Sequence, residues 1–243
     1  VIELLCTDNN KKATFIHYYL RNAVLVSLFE NPGQTIFLDA NFLIPPDRTK
    51  VGAKSVPFLK YCEIWLDPVF DSFSDLAMHE SAYGELVEEP VKRYADAKCQ
   101  ESPPGLKVYS DADLNAAEAA LMQTYINRIS PFSKYIPVFR NSDDKGEILS
   151  LSYMASKGFL YFASDDHLPM QLIRKADELG TGLQDMCVLE MFDVIFYLYR
   201  TGKYDNKGLR LLYKYQYYLT KREKLLNPEW GEFIREMNLL YPE

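Results

Sequence analysis

The chain has 243 residues, 48% of them hydrophobic and 25% charged, with a formal net charge of −7. That length can bury a substantial core in one large domain or two small ones, and no stretch approaches the ~20 consecutive apolar residues of a membrane span. Four cysteines (Cys6, Cys62, Cys99, Cys187) lie far apart without CxxC spacing and the histidines are His17, His79 and His167, which argues against structural zinc and for reduced thiols.

Nothing at the N-terminus has the basic, apolar and small-residue succession of a signal peptide, so a cytoplasmic location is expected. The chain begins at Val1 rather than methionine, which leaves its natural start open. A charge of −7 ordinarily speaks against a polyanionic partner. Carboxylates gathered around bound cations carry negative charge that the metal offsets, so nucleic acid is not excluded.

From the N-terminus, Val1 to Leu5 is a short apolar run, and Phe15, Tyr18, Tyr19, Val24 and Leu28 fall at helical spacing between Ala13 and Phe29. Asn31-Pro32-Gly33 stops that helix. Ile36-Phe37-Leu38 is apolar and bounded by breakers, as a buried parallel strand is, with Asp39-Ala40-Asn41 at its exit. Val56 to about Phe73 reads as a helix broken or kinked at Pro68, and Leu76-Ala77-Met78 as a brief second strand. Ser81 opens a helix that carries Glu85 and that Pro90 ends. Gln100 to Gly105 reads as a loop, and Ser110 or Asp111 caps an alanine-rich helix running toward Ile129.

A helix from about Asp144 to Lys157, stopped by Gly158, leads into a strand from Phe159 to Ala163. Ser164-Asp165-Asp166 ends that strand, and a helix follows to Leu179. Beyond it the pattern is helical: Val188 to Tyr199, Leu209 to Lys224, Trp230 to Leu240. Strands alternating with helices predict an α/β fold with a mostly parallel central sheet flanked by helices. Residues 1–187 are expected to form this domain, with an inserted helical segment near 90–130, and 188–243 a helical C-terminal extension packed on it.

Ligands of open parallel sheets bind outside the carboxyl ends of the strands. Asp39 and Asp165-Asp166 occupy that location on two strands, and Glu147 opens a helix beside it. Hard cations such as Mg²⁺ or Mn²⁺ prefer carboxylate oxygens and water, which suits an acid-rich, histidine-poor set. Each acid also has a purely structural role open to it. Asp144 and Glu147 fit a capping box, Asp165 or Asp166 can cap the helix that Pro169 helps to start, and Asp39 can form a turn.

IFLDANFLI resembles the first strand of PIN-domain nucleases, an apolar run followed by Asp, a small residue and Asn. AYGELVEE resembles their second motif, a helical Glu followed by Leu. DKGEILSLSYMASKGFLYFASDDHL is similar to their third and fourth, where an acid opens a helix of small and apolar residues and a strand ends in Ser/Thr-x-Asp. The matches fall in family order over roughly residues 35 to 185. The resemblance implies a PIN-like three-layer sandwich and a ribonuclease that hydrolyses phosphodiester bonds of single-stranded RNA with Mg²⁺ or Mn²⁺. It implies catalytic and metal-binding roles for Asp39, Glu85, Glu147 and Asp166. Asp165 fills the variable position of the last motif, as an additional ligand or a support. Asn41 and Ser164 match positions that support the carboxylates, and Asp144 either caps the Glu147 helix or adds an acid to the site. A homodimer or an inhibitory protein partner is the association expected.

The C-terminal region concentrates cations, among them Arg210, Lys214, Lys221 and Arg222, interleaved with Tyr213, Tyr215, Tyr217 and Tyr218. Cations and aromatic faces can hold single-stranded nucleic acid, or the tyrosines can be core on one face with the lysines solvated on the other. A rival reading keeps the fold without the chemistry: a catalytically inactive PIN-like module that binds protein or RNA and whose acids are caps. A phosphatase reading lacks a second Asp two residues after Asp39, where Asn41 stands.

Overall fold

The structure, a computed structural model, describes residues 21–242. The expected apolar run at Val1 to Leu5 and the first residues of the Ala13 to Phe29 helix lie outside the described residues. Five short strands, β1 (Ile36–Leu38), β2 (Leu76–His79), β3 (Leu106–Tyr109), β4 (Tyr161–Ala163) and β5 (Cys187–Leu189), form an all-parallel sheet in the order β3-β2-β1-β4-β5. The chain winds outward from β1 to β3, then returns to the other side of β1 for β4 and β5. The point of reversal therefore lies between β1 and β4, and loops leaving the two strands diverge there to open a crevice.

Helices cover both faces, as a parallel sheet requires. Alternate residues of each strand enter opposite cores. Ile36, Leu38, Leu76, Met78, Ala163 and Leu189 join one core, where they meet Trp65, Phe196, Tyr213 and Phe233. Phe37, Ala77, Phe162 and Val188 join the other, with Ile126, Leu151, Met154 and Leu172. The C-terminal helices Met191–Thr201, Asn206–Tyr217 and Trp230–Leu240 supply much of the first core. Among the described residues no helix is long and apolar enough to cross a membrane.

Several local expectations are corrected. The helix expected from Ser81 through Glu85 is only the turn Glu80–Tyr83, so Glu85 lies beyond its end. Pro90 does not end a helix but starts one, Glu89–Gln100, because the missing N–H is harmless in a first turn. The helix around Pro68 continues unbroken from Phe58 to Ser72. A π-turn at Cys62–Leu66, in which the Asp67 N–H reaches back to the Cys62 carbonyl, widens the coil just ahead of the ring. The strand expected over Phe159 to Ala163 begins only at Tyr161. The helix expected from Val188 starts at Met191, because Val188 is in β5. The single helix expected from Leu209 to Lys224 is two, Asn206–Tyr217 and Lys221–Leu226, the second opened by Thr220 in a capping box with Glu223.

Ser110 caps a short 3-10 turn, Asp111–Asp113, while the long helix Ala116–Ile129 takes Asn115 as its cap. The Asn115 side chain accepts from the Ala117 and Glu118 amides, and Glu118 returns a bond to the Asn115 amide. Asn115→Ala is expected to remove about 1 kcal/mol of stability. A thermal melt should show the midpoint lower by roughly 2–4 °C.

Candidate metal centre

The crevice between β1 and β4 is lined by the residues that leave those strands. Asp39 follows β1 directly, and its amide still pairs with the Ala163 carbonyl at 2.9 Å, so its backbone is fixed as rigidly as the strand's. Asp39 is buried, 2% exposed. One carboxylate oxygen accepts from the Ala40 amide at 2.8 Å, so the turn-forming role is real. The other accepts from Asn41 Nδ2 at 2.9 Å and from the Ser164 hydroxyl at 2.7 Å. Ser164 in turn accepts from the Asp166 amide at 3.0 Å and from Asn41 Nδ2 at 3.3 Å. A single buried hydroxyl thus uses its one donor on Asp39 and its acceptor capacity on the two loops that flank it.

Glu147 enters from the first turn of the helix Lys145–Lys157. Asp166 stands at the N-cap position of His167–Arg174, yet its side chain makes no capping bond. Oxygens of Asp39, Glu147 and Asp166 all lie within 4.8 Å of one another. The capping box expected from Asp144 and Glu147 is not formed. Asp144 adopts a left-handed backbone (φ 52°), and its carboxylate accepts from the Lys134 amide at 2.7 Å. Glu85 lies against the same helix start, accepting from the Gly146 amide at 3.1 Å.

These acids crowd one another with little positive charge to offset them. Burial, then repulsion from Glu147 and Asp166, pushes Asp39 up to about 8, against the bonds from Ser164 and Ala40 that oppose the shift. Burial and Glu147 raise Glu85 to about 7, opposed by the Gly146 amide and Lys145. Burial and Asp166 raise Glu147 as well. Like charges collected this closely are relieved by a proton or by a cation.

Asp165 is not brought to this group. Its carboxylate turns the other way, accepting from the Met191 amide at 2.8 Å, Gln216 Nε2 at 3.1 Å and the Tyr217 hydroxyl at 2.9 Å. It binds the exit of β4 to the turn after β5 and to the C-terminal helices. Arg210, Lys214, Lys221 and Arg222 also stand outside the group, on the helices Asn206–Tyr217 and Lys221–Leu226. The neighbouring tyrosines face inward: Tyr213 and Tyr215 are buried, and the hydroxyls of Tyr213, Tyr215 and Tyr218 bond Pro228, Lys54 and Glu229.

A cleft of about 450 Å³ opens beside the group at the ends of β2 and β3, lined by His79, Ser81, Glu85, Asp111, Ser142 and Lys145 among others. His79, buried at the end of β2, bonds the Ser81 hydroxyl through Nδ1 at 2.6 Å and Asp111 through Nε2 at 3.1 Å. Because the Ser81 amide also donates to Nδ1, the ring proton of the neutral imidazole sits on Nε2 and points at Asp111. Sequence reasoning did not single out this set. The signal for it was the same as for Asp39, a polar residue closing an apolar strand.

No family model matches the chain, and neither curated proteins nor solved structures give a match.

Proposed function

We propose that the chain is a PIN-like ribonuclease that hydrolyses phosphodiester bonds with Mg²⁺ or Mn²⁺. The observation that carries this reading is the convergence of Asp39, Glu147 and Asp166 from three separate elements at the reversal point of a parallel sheet. The residues fit a hard divalent cation. All three donors are carboxylates; Asp166 makes no capping bond, and Glu147 bonds only its own amide. Asn41 Oδ1 is buried without a partner beside Asp39, an acceptor suited to a water on the ion.

When bound, such a cation supplies an activated water and offsets charge on the phosphoryl oxygens. The chain's own part is positional. Ser164 and Asn41 hold the Asp39 carboxylate in one orientation, and the Gly146 amide holds Glu85 at the edge of the cleft. Lys145 lines that cleft and brings a positive charge to it, which supports a phosphate-bearing substrate.

The test is cleavage of labelled single-stranded RNA, with DNA of the same sequence alongside, in Mn²⁺ with and without chelator. Wild type is expected to cut RNA only with the metal, and Asp166→Asn to be inactive. Cleavage that persists in chelator or in the variant removes the proposal.

Gly146→Ala isolates the part played by Glu85. A Cβ at position 146 would come within 2.2 Å of Glu85 Oε1, the far end of an exposed side chain, so the carboxylate gives up its bond to the Gly146 amide and swings away while the helix stays. The expected outcome is a melting temperature unchanged or slightly raised, since alanine favours helix. Mn²⁺ affinity, read by calorimetric titration, should fall roughly tenfold. An unchanged affinity would remove Glu85 from the centre.

A further inference from the structure

Between the helices Ala116–Ile129 and Lys145–Lys157 the chain presents a short segment that leaves four large apolar side chains in the open. Phe139 is 75% exposed, Val138 88%, Ile136 47% and Phe132 44%. Apolar side chains clustered in the open mark a binding surface more often than an accident of packing. The segment is held in shape. Tyr135, 6% exposed, anchors it in the core beneath. The Asn141 side chain spans its neck, accepting from the Ile136 amide at 2.7 Å and donating to the Lys134 carbonyl at 2.9 Å. Asp144 fastens the Lys134 amide. The phenylalanines are therefore displayed on an ordered frame.

Two features narrow what this surface takes. Lys134 and Arg140 are exposed within it, Lys145 follows it, and among the described residues none of the three forms an ion pair. The surface also runs into the cleft: Ser142 and Lys145 line it, and Lys145 opens the helix that carries Glu147. Aromatic rings alternating with unpaired cations, ending at a carboxylate centre, match a strand of unstacked bases on a phosphate backbone. We propose that the segment from Phe132 to Arg140 holds single-stranded RNA, stacking bases on Phe139 and Phe132 and leading the backbone past Lys145 toward the carboxylates. The choice of RNA rests on the nuclease reading above; the surface itself does not. The stacking platform is thus placed here, where rings face solvent, rather than on the C-terminal helices, where they face the core.

The experiment measures binding of a labelled single-stranded RNA by fluorescence anisotropy in chelator. Every protein carries Asp166→Asn in the full chain, so that nothing is cut. Phe139→Ala is expected to weaken binding roughly tenfold, the size of one base-to-ring stack, and Phe139→Trp to preserve it. Lys134→Gln with Arg140→Gln should weaken it too and make its salt dependence shallower by about 1.4 in the logarithmic slope. All three positions are exposed and tolerate substitution, which unchanged melting curves would document. Affinity indifferent to these changes, or no RNA binding at all, overturns the proposal. So does a wild-type dimer in sedimentation that Phe139→Ala turns into a monomer without altering RNA affinity, because the surface is then a contact between copies. Calorimetric Mn²⁺ binding by wild type reports separately on the carboxylate centre. Loss of RNA affinity in Phe139→Ala with no Mn²⁺ binding in wild type would leave the strand surface standing and remove the nuclease reading. Mn²⁺ binding with unchanged RNA affinity would do the reverse.

Discussion

Asp39→Asn is expected to abolish Mn²⁺ binding and hydrolysis while leaving the metal-free chain more stable than wild type at alkaline pH. The loss of metal follows from removing the most buried of three converging carboxylates, and affinity should fall by more than about 100-fold, beyond the cost of losing a supporting residue. The gain in stability follows from the sign of the pKa shift. Asp39 has its folded pKa raised from 3.8 to about 8, so the folded chain binds this proton more tightly than the unfolded chain does. Stability from that proton is complete below about 3.8 and is lost as pH rises toward 8, the opposite of a salt-bridged carboxylate. The amide introduced by the substitution would not titrate, but it gives up the Oδ2 acceptor that the Ser164 hydroxyl uses, which offsets part of the gain. Its oxygen can still accept from Ala40, and its NH₂ can meet Asn41 turned over to present Oδ1, the atom without a partner in wild type. In chelator at about pH 8 the variant should exceed wild type by ~1–2 kcal/mol, a melting temperature several degrees higher. With Mn²⁺ the order reverses, because only wild type gains stability from the ligand. Metal affinity of wild type should also climb between about pH 6 and 8, as protons on Asp39 and Glu85 are displaced. A variant less stable than wild type in chelator at high pH would show that the Asp39 charge is not a burden on the empty site.

Asp165→Ala carries the second large effect, and it acts on the fold first. The substitution removes the acceptor that the Met191 amide, Gln216 Nε2 and the Tyr217 hydroxyl share. Removing one member of such a network costs ~3 kcal/mol, seen as a melting temperature lower by about 10 °C. Asp165→Asn should cost clearly less, because an amide oxygen still accepts from Met191. Thermal melts of the two variants in chelator decide this. Equal melting temperatures for alanine, asparagine and wild type would mean that Asp165 does not fasten the C-terminal helices to the sheet.

The contrast between adjacent Asp165 and Asp166 shows where the sequence stops being informative. Asp39 and Asp166 could be found from strand ends, because a strand buried on both faces reads as an uninterrupted apolar run and the acid that closes it stands out. Telling an acid that joins the carboxylate group from one that caps required the side chain's direction: Asp166 holds a cap position without capping, and Asp144 leaves its helix start to fasten a loop. Asp165 has partners some fifty positions away on a helix that local periodicity cannot orient. The missed strand Leu106–Tyr109 lies at the sheet edge with Lys107 and Val108 exposed, so it lacks the apolar run that marked β1. β5 merged with the next helix because Cys187 to Val194 is apolar enough to suit either period. Pro90 was ambiguous for a simple reason: the same residue ends one helix or begins another.

The strand order has a consequence for the protein while it is being made. β1 finds its neighbour β4 only after more than a hundred further residues, and the exit of β4 is fastened by side chains some fifty residues further on. Asp39, Glu147 and Asp166 cannot meet in any shorter nascent fragment, since loop closure over that separation has to come first. A nascent chain that has not yet reached Asp166 therefore carries Asp39 and Glu147 without the arrangement that gathers the three.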